Sequence, residues 1–170
     1  MLLRPAQPGD EAGLAALFSA LVAAGEDRLF HPHPLTRAAA RTVCGHRATA
    51  SAAAHDEYHL AIAEPPIGGR PSRPPQVVGY GMLRGWVEGF AVPSLGIAVH
   101  PGHRGRGVAR GLVAHLHRVA AARGAATVRL KVYRHNAAAV RLYECLGYEL
   151  RPLNTEELVG RIAVMETTAA

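Results

Sequence analysis

The run Arg104-Gly105-Arg106-Gly107-Val108-Ala109 has residue types and spacing that suit phosphate chemistry. It follows a short apolar stretch, Leu95–Val99, and a turn signal, His100-Pro101-Gly102, and it leads into a helical pattern. Glycine has no Cβ, so the backbone there can come close to a ligand. A helix start leaves N–H groups without partners and carries a partial positive charge. Together these make a site for a phosphate or diphosphate, to which Arg104 and Arg106 add formal charge. The plainer alternative is a glycine-rich turn with incidental arginines.

Two phosphate-binding patterns can be tested directly. A P-loop requires a lysine after its last glycine, and the single lysine, Lys131, lies in a strand pattern, which excludes it. A dinucleotide fingerprint is closer, because Gly105, Gly107 and Gly111 form a loose glycine series. That fold places the first glycine in a tight turn after the strand, whereas His100–Arg104 intervene here. No acidic residue occurs between Glu88 and Glu144 to hold a ribose, although Arg129 could meet a 2′-phosphate. An NADP-dependent oxidoreductase therefore stays as an alternative.

The elements that must position this segment can be read from periodicity. Met1–Pro8 reads as a strand, and Asp10 caps a helix to Ala24 that Gly25 ends. Thr36–Ala54 reads as an alanine-rich helix weakened by Gly45. Residues 59–64 and Val77–Arg84 form strand patterns around a Pro/Gly-rich surface loop, Pro65–Pro75. Trp86–Pro93 connects to the strand Leu95–Val99. In the helix Gly107–Arg123, Val108, Leu112, Leu116 and Val119 form the apolar stripe, with Arg106, Arg110 and His117 roughly opposite. Thr127–Tyr133 alternates, with Val128, Leu130 and Val132 on one face and Arg129 and Lys131 on the other. A helix from Asn136 to Leu146 stops at Gly147, and strands follow at Tyr148–Leu150 and Arg161–Glu166. This order mixes hairpins with crossovers, which predicts one mixed α/β sheet flanked by helices, in a single domain spanning 1–170.

Composition narrows the class. About half of the 170 residues are apolar and 19% are charged, which suits a globular core and not a disordered chain. No apolar run is long enough to cross a bilayer, and Asp10 and Glu11 break the first apolar stretch where a secretory signal would continue. The net charge of +6 comes from arginines scattered between Arg4 and Arg161, not from a dense tract, so neither a nucleic acid nor a membrane is the expected partner. A basic, non-catalytic binding module is the non-enzymatic alternative. Cys44 and Cys145 lie far apart and read as reduced thiols of a cytoplasmic protein. His31 and His33 have zinc-like spacing but no further ligands, so no metal is expected.

The run from Leu95 to Ala109 resembles motif A of the GNAT superfamily of acetyl-CoA-dependent N-acetyltransferases. That motif places Arg or Gln, two residues, Gly, one residue, then Gly or Ala, and here Arg104, Gly107 and Ala109 hold those positions. The run from Asn136 to Tyr148 resembles the family's motif B, with Asn136, Tyr143 and the closing Gly147-Tyr148. The resemblance implies an α+β fold with a mostly antiparallel sheet of six to seven strands flanked by about four helices. It also implies acetyl-CoA as cofactor: main-chain groups of Ile97 and Val99 would bind pantetheine, and the N–H groups of Arg104, Gly105, Arg106, Gly107, Val108 and Ala109 the diphosphate. Asn136 and Tyr143 are seven residues apart, about 20° off a common helical face and roughly 10 Å along the axis. Tyr143 would protonate the departing thiolate, uphill by about 2 kcal/mol from free-solution values unless the site, and nearby arginines, shift it. The strand of motif A carries no acid here, which makes Glu88 the first candidate for the base. His31, His33, Trp86 and Glu88 are the candidate acceptor contacts. The expected acceptor is a small-molecule amine, with an amino sugar among the candidates and a homodimer left open.

Overall fold

The computed structural model describes residues 1–30, 32–49, 55–63 and 76–164. His31, the Pro65–Pro75 loop and the expected ends of the second helix and last strand lie outside the described residues. The elements run β1 (Leu2–Pro5), α1 (Glu11–Ala23), α2 (Arg37–Thr49), β2 (Glu57–Ala63), β3 (Gln76–Arg84), β4 (Ser94–Val99), α3 (Val108–Ala122), β5 (Thr127–Tyr133), α4 (Ala137–Cys145), β6 (Glu149–Pro152) and β7 (Glu157–Ala163). They build a seven-stranded sheet in the order β1-β2-β3-β4-β5-β7-β6. All neighbours pair antiparallel except β4 and β5.

Both faces of the sheet are used. On one, Leu14, Leu17, Phe18 and Leu21 of α1 and Ala40 and Val43 of α2 pack on Tyr80 and Met82 of β3. On the other, α3 and α4 meet Val128, Leu130 and Val132 of β5 through Leu116, Ala120 and Tyr143. Each fully buried leucine contributes about 1.5–3 kcal/mol relative to exposure. The close seat of α3 on β3 depends on two glycines. A Cβ on Gly79 would stand 2.7 Å from a Leu112 methyl, and one on Gly81 2.8 Å from a Leu116 methyl.

The strand order has a consequence for the site. β4 and β5 meet at their start, where Ser94 lies opposite Arg129 and the Arg129 N–H donates to Pro93 O at 3.0 Å. Among the described residues the ladder goes no further, so the two strands part towards Val99 and Tyr133. The His100 N–H donates to Val78 O at 2.9 Å, which sets the parity of β4. Ser94, Gly96 and Ala98 turn their main-chain groups to β3, and Leu95, Ile97 and Val99 turn theirs to the gap.

Two readings from the sequence need correction. The last strand begins at Glu157, four residues before the expected Arg161, because β5 offers it pairing up to Tyr133 opposite Glu157. Gly160 breaks the apolar alternation there, and a Cβ in its place would stand 2.7 Å from a Leu150 methyl. His117 is not on a solvated face, since its Nε2 is hydrogen-bonded to the Tyr148 hydroxyl at 2.7 Å.

Candidate functional site

The gap between β4 and β5 opens into a cavity of about 1050 Å³. Its walls come from β4, the Arg104–Gly107 turn, the first turn of α3, the outward face of β5 and the inner face of α4. Gly107 caps α3 with φ +79° and ψ 0°, and Gly105 has φ +69°. Nothing lies within 4 Å of a Cβ built on either, so glycine is needed there for backbone conformation and not for space. No side chain caps α3, and its first internal bond is Gly111 N–H to Gly107 O at 2.9 Å. The Arg104 N–H donates to Pro101 O at 3.4 Å, and among the described residues the N–H groups from Gly105 to Arg110 are left for an anion. Arg104, Gly105 and Gly107 are exposed at the cavity rim, not buried in a packed interface.

Arg104 has a different role from the one its charge suggests. Its guanidinium pairs with Glu26, which follows α1, and also donates to Val99 O at 3.3 Å. It therefore ties the turn to β4 and to the α1–α2 segment. Arg106 is exposed and is not part of the cavity wall, whereas Arg110, one turn into α3, is. His103 also lines the cavity, with partial burial and the nearby His100 holding its pKa below the ordinary value.

On α4, Tyr143 is buried at 5% exposure and faces the cavity. Burial alone pushes its phenol well above the ordinary tyrosine value. The expected help from arginines is missing, since desolvation is the only cause of that shift. Tyr143 is therefore a proton-bearing donor across the physiological range. Asn136 is the N-cap of α4, its Oδ1 accepting from Ala139 N at 3.2 Å. With φ −82° and ψ 67° it is not helical, so the seven-residue angle to Tyr143 does not hold, yet both residues line the same cavity.

The remaining expected contacts divide. Glu88 is exposed on the turn after β3 and lines the cavity. Trp86 is not part of the wall; the Arg123 guanidinium sits 4.0 Å above its ring. His33 bonds the Tyr80 hydroxyl at 2.9 Å and Pro34 O at 3.0 Å, away from the cavity wall. Its ring packs 5.6 Å from Phe18 and 5.3 Å from Phe30, and burial lowers its pKa. Sequence reading considered Arg129 only for a 2′-phosphate and missed Lys131 and Tyr133 on β5, Glu156 and Glu157 before and at the start of β7, and an apolar wall of Phe30, Leu35 and Met82. The alternation of β5 had put Arg129 and Lys131 on one face, but nothing in it signalled that the sheet parts beside them. Among the described residues no group of three His, Cys, Asp or Glu side chains is placed to hold a metal, and no helix is long and apolar enough to cross a membrane.

This arrangement can grip an anion at the start of α3 and hydrogen-bond an extended ligand along β4. The same elements are matched by the model of the acetyltransferase (GNAT) family over residues 37–148, more than half of the chain. The chain belongs to that family. An acetyltransferase from Sodalis glossinidius is 35% identical over 71 residues, covering 42% of this chain and 50% of the relative. The chain thus spans about half the length of the curated relatives it matches. The GNAT fold extends further than the identity. The Salmonella typhimurium protein yncA, solved with its cofactor acetyl-CoA, superposes with a TM-score of 0.71 at 18% identity, over 100% of this chain and 97% of that one. A ribosomal-protein-alanine N-acetyltransferase from Brucella melitensis gives 0.71 at 19% identity, over 96% and 99%.

Proposed function

We propose that this GNAT protein transfers the acetyl group of acetyl-CoA to the primary amine of a small molecule. The observation that carries this reading is the junction of the uncapped α3 start, the parted edge of β4 and the Tyr143 hydroxyl in one cavity. The residues present suit the cofactor. Main-chain N–H groups from Gly105 to Ala109 would receive the diphosphate, where two left-handed glycines keep the turn open. The main-chain groups of Ile97 and Val99 face the gap as a half-strand would, ready for the amides of pantetheine.

When bound, acetyl-CoA supplies an activated acyl thioester. The acceptor nitrogen would take that acetyl group, with the sulfur leaving as a thiolate. A main-chain N–H near Val99 stabilises the charge growing on the carbonyl oxygen. Glu88 takes the proton lost by the amine, directly or through a water. The Tyr143 hydroxyl donates to the departing sulfur. A thiol is the stronger acid by about 1.5 pH units in water, and burial widens that difference, so this proton moves only as the sulfur takes on charge. The buried Cys44 and exposed Cys145 are both free thiols, which suits the cytoplasm.

The test is thiol release from acetyl-CoA in the presence of aliphatic amines, amino sugars such as glucosamine, and a peptide with a free N-terminus. Release is expected with small amines. Silence across all amines would overturn acetyl transfer, and release with the peptide alone would overturn the small-molecule acceptor.

A further inference from the structure

Two neighbouring cations of β5 line the cavity with no ion pair among the described residues. Along β5, Val128, Leu130 and Val132 are buried against α3 and α4, so Arg129 and Lys131 project from the opposite face of the sheet. Both line the cavity. Of the other arginines there, Arg84 donates to Pro32 O at 2.8 Å and lies 3.5 Å from Asp56, Arg104 is paired with Glu26, and Arg110 belongs to the first turn of α3, beside the anion-binding turn. Among the described residues, the Arg129 guanidinium meets only the Phe90 ring, at 5.6 Å, and the Lys131 ammonium has no ion pair or side-chain hydrogen bond. Arg129 is half-buried and Lys131 exposed, so two like charges stand side by side on the cavity wall with no carboxylate paired to either, an arrangement that attracts an anion.

The cofactor's phosphates are too far away to be that anion. Arg129 sits at the closed end of the gap, opposite Ser94. From Ser94 to Val99 the strand rises about 16 Å at roughly 3.3 Å per residue, and the Arg104–Ala109 turn lies beyond. Arg129 and Lys131 also point away from α3. Their Cα atoms, two residues apart on one strand face, are about 6.6 Å apart, close enough for both side chains to converge on one carboxylate or phosphate. The same cavity holds Glu88 and Glu156 for an ammonium, and the apolar wall of Phe30, Leu35 and Met82.

Building on the acetyl-transfer reading, we propose that the acceptor carries an anionic group, a carboxylate or a phosphate, as well as its amine, and that Arg129 and Lys131 bind that group. The test reads binding, not turnover, in protein saturated with CoA so that the phosphate site is filled. Calorimetry compares leucine with 3-methylbutylamine and phosphoethanolamine with ethanolamine, pairs that differ by the anion. Whichever anion is recognised, its bearer should bind at least tenfold more tightly than its match. Arg129→Gln/Lys131→Gln should abolish that preference while CoA affinity, which reports the fold, stays within about twofold. Equal binding within both pairs, no binding by any probe, or a preference that survives in the double variant overturns the anion site. A silent amine panel in the thiol-release assay overturns acetyl transfer alone, since the binding result does not depend on turnover.

Discussion

A phenol as deeply buried as Tyr143, with no cation to stabilise its anion, keeps its proton far above neutral pH. That suits a group whose task is to give a hydrogen bond to sulfur. Tyr143→Phe removes the donor and keeps the ring that packs 5.4 Å from Tyr148. It should lower kcat about 10- to 100-fold while the Kd for acetyl-CoA moves less than about twofold; equal loss of both in steady-state kinetics and calorimetry would make the residue structural. Asp10 shows the opposite electrostatics. The Arg4 guanidinium, at 2.6 and 2.7 Å, holds the Asp10 carboxyl below its ordinary value. A depressed carboxyl pKa contributes stability that is present above the unfolded value of about 3.9 and is lost as pH falls through the folded one. Asp10→Asn should therefore be less stable than the parent at pH 7, and urea titrations at decreasing pH should bring the two together as the Asp10 carboxyl of the folded chain takes up its proton.

At the scale of elements, α4 is short and rests on its cap. Asn136→Ala removes the bond to Ala139 N and should cost about 1 kcal/mol of unfolding free energy, whereas Asn136→Asp keeps an acceptor there and should retain stability. The aspartate brings negative charge to the cavity, so it should weaken acetyl-CoA binding despite its intact fold. Denaturant melts paired with calorimetry check both halves of this expectation. Strand β3 teaches a second lesson. Its periodicity is legible in Val77–Arg84, and a glycine inside a strand signals close backbone approach. The approaching partner, the Leu112 and Leu116 side of α3, is 33 to 35 residues downstream and has no local signature.

For the whole molecule, the two halves of the sheet are joined at the Ser94–Arg129 rung and by α3, whose Leu116 and Ala120 share one core with Leu95 of β4 and Val128 and Leu130 of β5. A ligand lying in the gap touches both halves and stabilises only the folded chain. At 100 times its Kd, acetyl-CoA should add about 2.7 kcal/mol and raise Tm on the order of 5–10 °C, with NADPH giving no such shift in the same melt. Sequence alone determined the order of eleven strands and helices, because that order follows from local periodicity and from glycines and caps acting within a few residues. It also located the α3 turn and α4, since motifs that bind through main-chain groups must be written contiguously. Only the tertiary structure decided where those pieces face one another. It placed Trp86 and His33 away from the cavity, brought Arg129, Lys131 and Glu156 into it, and tied Arg104 to Glu26. Such contacts join residues distant in the chain, and they depend on where two strands diverge, a property of the sheet that no single strand encodes.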